Sequence, residues 1–164
     1  MIPVSGMPFG SNEYVINIDD TFFSERDYSE VSRGSVRATV EAYKEESLIT
    51  LTIKLEGQLE VACARCNSLY MQPIENEFEI YIKYGEEAME EADDVFVVTK
   101  DANEFDLENL LYEYAILALP IRCVHEDIAD CDQDVIRFLN QEEEKIDDNE
   151  GEIDPRWAKL NELK

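Results

Sequence analysis

All the soft metal ligands of this chain fall in two places. They number four cysteines and one histidine. Cys63-Ala64-Arg65-Cys66 sets two thiols across a short turn, and roughly sixty positions later come Cys123, His125 and Cys131. Thiolates and imidazoles suit a tetrahedral, zinc-type ion, with metal–sulfur arms near ~2.3 Å. A Cys-x-x-Cys turn bends both side chains toward one point, so Cys63 and Cys66 make a natural first pair. The second pair must come from three candidates. Cys131 with His125 is the preferred pair, and Cys123 is the substitute ligand. Four protein ligands leave no position open for water, so the expected site is a structural one, whose binding energy adds to folding. Two other readings compete, inert buried thiols and a redox pair. The redox reading wants the motif at a helix N-terminus in a thioredoxin-like setting. Here strand-like segments lead in and out. Arg65, between the cysteines, could lower a thiol pKa, and it reads sooner as an exposed charge on the turn.

Nothing else in the chain points to catalysis. There is no Gly-rich phosphate loop and no Gly-x-Ser-x-Gly elbow. His125 is the one histidine, and carboxylates are too abundant for any pair of them to carry meaning. The expectation is a protein that is not an enzyme.

The charge balance is extreme, with 39 acids against 14 bases and a formal net charge of −25. Nucleic-acid binding rests on Lys and Arg displacing counterions from phosphates, and this balance disfavours it. Arg33, Arg37, Lys44 and Lys54 are the nearest candidates for a basic patch, and they are scattered. Such a surface suits a basic protein partner, and it also suits simple solubility. No apolar run approaches the roughly 20 residues of a membrane span. Met1-Ile2-Pro3-Val4 lacks the basic and apolar regions of a signal peptide. A cytoplasmic location is expected, with thiols kept reduced.

The elements that must position the ligands begin with strands. Tyr14, Ile16 and Ile18 share a face. Val36, Ala38, Val40 and Ala42 alternate with polar residues, as do Ile49, Leu51, Ile53 and Leu55, and later Phe78, Ile80 and Ile82. Alternation of this kind predicts antiparallel strands with one buried face. Lys44-Glu45-Glu46 suits a hairpin turn, and Val95 to Val98 suits one more strand. Residues 86–108 hold ten acids and one base. Within them, Glu86 to Asp94 reads as a solvated loop. A helix is predicted from Asp106, a good N-cap, to Pro120, with Leu107, Leu110, Leu111, Tyr114 and Ala118 on its core face and Leu117 widening it. A second amphipathic segment carries Val135, Ile136, Phe138 and Leu139. The overall expectation is an α+β fold, with an antiparallel β-sheet, open or barrel-like, in the N-terminal half and helices in the C-terminal half. Residues 1–140 read as one α+β domain and 141–153 as an acidic linker. Residues 154–164 read as a C-terminal helical tail, opening on Asp154-Pro155 and carrying Trp157 and Leu160.

The order of these features resembles the YceD family, the large ribosomal RNA subunit accumulation proteins of bacteria and plastids. A β-rich part ends in Cys-x-Arg-Cys (Cys63 to Cys66), and an acidic gap follows. Asp-Leu-x-x-Leu (Asp106 to Leu110) opens a helix that closes on Leu-Ala-Leu-Pro (Leu117 to Pro120). Then come Val124-His125, Cys131 and a terminal Asp-Pro-Arg-Trp-x-x-Leu (Asp154 to Leu160). The resemblance spans about residues 30 to 164. It implies a role in accumulation of large-subunit ribosomal RNA, and so in ribosome assembly. The Val-His match adds weight to His125 over Cys123. Many relatives carry a denser second cysteine group than this chain does. Together with the charge, the resemblance leads to a non-enzymatic factor that docks a basic ribosomal or assembly protein. Contact with RNA would then be indirect, and no membrane partner is expected. A generic acidic interaction module without metal, or a thiol or metal enzyme, would be the alternatives.

Overall fold

The computed structural model describes residues 1–26, 29, 31–86, 88–92 and 94–147. The chain divides into two compact units. One comprises residues 1–62 and 69–123; the other comprises residues 63–68 and the chain from Val124 onward.

The first unit is built on a six-stranded open sheet. Its strands are β2 (Gly10–Ile18), β3 (Gly34–Lys44), β4 (Leu48–Ala62), β5 (Leu69–Gly85), β6 (Met89–Ala92) and β7 (Val95–Thr99). Their order is β2-β3-β4-β5-β7-β6. The sheet does not close into a barrel. A short β1 (Ile2–Pro3) pairs separately with β8 (Glu104–Phe105). The alternating patterns land as expected, with Val36, Ala38, Val40 and Ala42 and the run Ile49, Leu51, Ile53 and Leu55 all buried. Glu45 N–H donates to the Leu48 carbonyl at 2.8 Å and closes the β3–β4 turn.

Two features depart from the sequence expectation. The β5–β7 pairing is parallel, so the sheet is mixed. The acidic stretch read as a loop contains β6, which pairs antiparallel with β7. An edge strand can do without the apolar side chains that mark a central one, and charge on an edge discourages pairing with other chains. Composition alone therefore hides it.

Helices α1 (Asp20–Ser24) and α2 (Glu108–Leu117) bring Phe23, Leu107, Leu111 and Ala115 into the same core as the strands. The Asp106 carboxylate accepts from Glu108 N–H at 2.9 Å, but α2 begins at Glu108 with Leu107, not Asp106, at its N-cap. Tyr114 stacks on Phe78 with centroids 4.2 Å apart. Leu117 does not join the core face: it is 66% exposed. Leu107, Leu111 and Ala115, spaced four apart, fix the buried stripe, and Leu117 falls to its side. Arg26 lies over the Phe22 and Tyr112 rings and donates to Asn109 Oδ1 at 2.9 Å.

On the other face of the sheet, register places Glu13 opposite Glu41 and Glu56 opposite Glu75. Gly57 lies where β4 passes close to β3. A Cβ there would meet the Ser35 carbonyl oxygen at 2.2 Å.

In the second unit, helix α3 (Gln133–Asp147) runs through residues 141–147, the start of the stretch read as linker. Glu, Gln and Lys are good helix formers, so acidity there does not end the helix. The rest of that stretch and the tail with Trp157 lie outside the described residues. No helix among the described residues is long and apolar enough to cross a membrane.

Candidate metal centre

The turn between β4 and β5 is shaped by its own hydrogen bonds. Cys63 N–H donates to the Ser68 carbonyl at 2.9 Å, and Asn67 N–H to the Cys63 carbonyl at 2.8 Å. Asn67 takes a left-handed conformation with φ of 62°, which asparagine tolerates better than most residues. The Arg65 N–H points at Cys63 Sγ, at 3.4 Å. This geometry turns both thiols of Cys-x-x-Cys to one side.

The partner residues come from the segment before α3. A single 3-10 turn, Ile128–Asp130, is capped by the Asp127 carboxylate, which accepts from Ala129 N–H at 2.9 Å. Cys131 follows directly. Asp132 then caps α3, accepting from Asp134 N–H at 2.9 Å and Val135 N–H at 3.3 Å. Cys131 thus precedes the cap and Ile136 holds the fourth helical position, the two places of a hydrophobic staple. Both are buried. The Gln133 amide donates to the carbonyls of Ile128, Ala129 and Cys131 at 2.9, 3.2 and 2.9 Å. It ties the loop down around the cysteine.

These elements bring four side chains together. One donor atom each from Cys63, Cys66, His125 and Cys131 lies within 4.8 Å of all the others. His125 Nδ1 is 3.7 Å from Cys66 Sγ and 3.6 Å from Cys131 Sγ. A tetrahedron with ~2.3 Å sulfur arms and ~2.0 Å nitrogen arms has edges near ~3.5–3.8 Å. The two His125 separations match such edges and the remaining ones are at most 4.8 Å, so the four donors could close on a tetrahedral ion, His125 binding through Nδ1 with its proton on Nε2. Cys123 is not in the group. It packs against the core of the sheet unit, its thiol 3.5 Å from the Pro120 carbonyl.

The electrostatics favour thiolates on the turn. Burial of Cys63 opposes ionisation, but backbone N–H groups of His125, Arg65 and Cys66 donate to its sulfur and bring its pKa down to about 6. Cys66 is also lowered: burial again opposes, and Ser68 and the Asp132 backbone outweigh it. Burial pushes Cys131 up, with partial relief from Arg65. Arg65 is half-buried and not the free charge read from sequence, because its guanidinium donates to Cys131 Sγ at 3.5 Å. A divalent ion on three thiolates and a neutral imidazole leaves one negative charge over, and Arg65 is placed to balance it. Gln133, the residue that gathers the loop carbonyls, carried no sequence signal.

Buried residues sharpen the comparison with a conventional core. Among the described residues of this unit, the buried ones are Cys63, Cys66, Cys131 and Ile136. Of the apolar residues expected to share a face on α3, Phe138 and Leu139 are exposed.

An α+β protein with a small unit gathered on a Cys3His cluster is the class that fold and site define. Residues 51–164 match the family model described as "Large ribosomal RNA subunit accumulation protein YceD". The chain belongs to the YceD family. No curated protein and no solved structure matches it.

Proposed function

We propose that this protein supports accumulation of large-subunit ribosomal RNA as a non-enzymatic assembly factor that binds a basic ribosomal or assembly protein. A structural zinc-type ion on Cys63, Cys66, His125 and Cys131 would hold its small unit. The observation that carries the reading is the family match over residues 51–164. The charge of −25 favours a protein partner over direct grip on phosphates. Of the scattered bases, Arg33 pairs with Asp20 and Glu60, and Lys54 with Glu41 and Glu77. Lys44 is buried and donates to the Val4 carbonyl at 2.7 Å. A four-ligand site offers no open position for a substrate, which supports a structural role for the ion.

The test is gradient fractionation of cell extract with and without RNase. Co-migration with large-subunit precursors, and retention of a basic protein after RNA digestion, is the expected result. Release of every partner by RNase would overturn the protein-docking reading. Unchanged levels of large-subunit ribosomal RNA in cells lacking the protein would overturn the assembly role.

A further inference from the structure

Helix α2 carries two apolar stripes, one fully buried in the core and the other packed against it only in part. Leu107, Leu111 and Ala115 are buried in the sheet unit. Leu110, Tyr114 and Leu117, at the i, i+4 and i+7 positions of a second stripe, stay half-exposed or exposed. They form one wall of a groove of about 520 Å³ whose other side is Phe96 and Phe105. Those two rings lie 5.4 Å apart at a tilt of 60°. The charged residues that line the groove are Asp106 and Glu113, with no Lys or Arg among its lining. Both carboxylates are exposed, at its rim.

We infer that this groove binds an amphipathic segment of a basic protein, apolar side chains inserted between α2 and the Phe96–Phe105 pair and cationic side chains on Asp106 and Glu113. The inference deepens the docking role proposed above and rests on it for the nature of the partner. Charge complementarity selects the occupant. An acidic rim on a chain of net charge −25 repels nucleic acid and acidic peptides and attracts a cationic chain. Apolar anchors set into a groove supply the affinity in helix-in-groove recognition, and charge steers the approach. A small-molecule site usually adds polar groups directed into its floor. Here five of the eight lining residues are aromatic or aliphatic, and Asn109, the neutral polar one, already accepts from Arg26 through its Oδ1. Among the described residues, moreover, no buried side-chain polar atom lacks a partner.

Full-length protein is titrated with a synthetic leucine–lysine amphipathic helix and, separately, with a serine–lysine peptide of equal length and charge. The leucine–lysine peptide should bind saturably and the serine–lysine peptide more weakly. Leu117→Ser removes an exposed anchor without touching the core, so its melting temperature should match the parent. It should weaken the leucine–lysine peptide about tenfold, the loss of one buried leucine's worth of contact. Glu113→Gln should reduce the salt dependence of binding. Equal affinity for both peptides, or an undiminished affinity in Leu117→Ser, overturns the inference. A parent that is dimeric and becomes monomeric on Leu117→Ser also overturns it, because a second copy then fills the groove. The two readings fail separately. Parent protein that co-migrates with ribosomal precursors but shows no preference for the leucine–lysine peptide overturns the groove alone. Parent protein that binds the peptide yet never co-migrates overturns the ribosomal role alone.

Discussion

The sheet unit and the unit of residues 63–68 and 124–147 bury different chemistry. The first buries aliphatic and aromatic side chains from β3, β4, β5, α1 and α2. The second buries three cysteines and one isoleucine among its described residues. A segment this short cannot remove enough apolar surface from water to offset its conformational entropy, and structural metals are a common substitute. The difference teaches that the four ligands stand where a core would stand. A bound ion would be the small unit's main source of order.

The largest effect expected is on the sheet side. Gly57→Ala drives a Cβ into the Ser35 carbonyl and to 2.7 Å from Val36 Cα, both backbone atoms with nowhere to move. It should cost about 3 kcal/mol or more, read as a lowered denaturant midpoint. Next comes metal removal. A strong chelator should raise amide exchange in residues 124–131 while β3, β4 and β5 stay protected. Parallel loss of protection in both units, or no change in either, would break the comparison.

Cysteine substitutions sharpen it further. Protein purified without an affinity-metal column should carry about one divalent ion per chain, the expectation for a four-ligand site. Cys63→Ser should lose that ion and Cys123→Ser should keep it. Retention by Cys63→Ser would remove the clip from the account. The smallest effect expected is that of Gln133→Ala, which gives up three amide-to-carbonyl bonds partly replaced by water. Thermal unfolding should show a cost of about 1 kcal/mol confined to the small unit.

Much of the sheet was legible because its strands have one wet face and one dry one, and the period-two pattern of Val36 to Ala42 and Ile49 to Leu55 records that directly. The ligand set was legible for a different reason. Soft ligands are scarce here, and so their positions are informative. What the sequence hid was long-range. The parallel partner of Val95–Thr99 is set by which strand edge remains unpaired, and no local pattern encodes that. Residues 89–92 form a strand because β7 offers an edge, against their acidic composition. Leu117 was misplaced because a hydrophobic side chain at helical spacing can face a groove as well as a core. Arg65 was misread because its partner, Cys131, lies 66 positions away.

The paired glutamates on the open sheet face have a thermodynamic consequence. Glu13 faces Glu41 and Glu56 faces Glu75 across neighbouring strands, where like charges oppose pairing and Lys54 beside Glu41 and Arg37 opposite Glu56 offset them only in part on a chain of net charge −25. The native sheet is therefore held together against a repulsion that mobile cations can quiet. Ionic strength should act on this protein as a ligand does, raising the melting temperature as sodium chloride is added, until screening over a Debye length of ~10 Å or less leaves little to relieve.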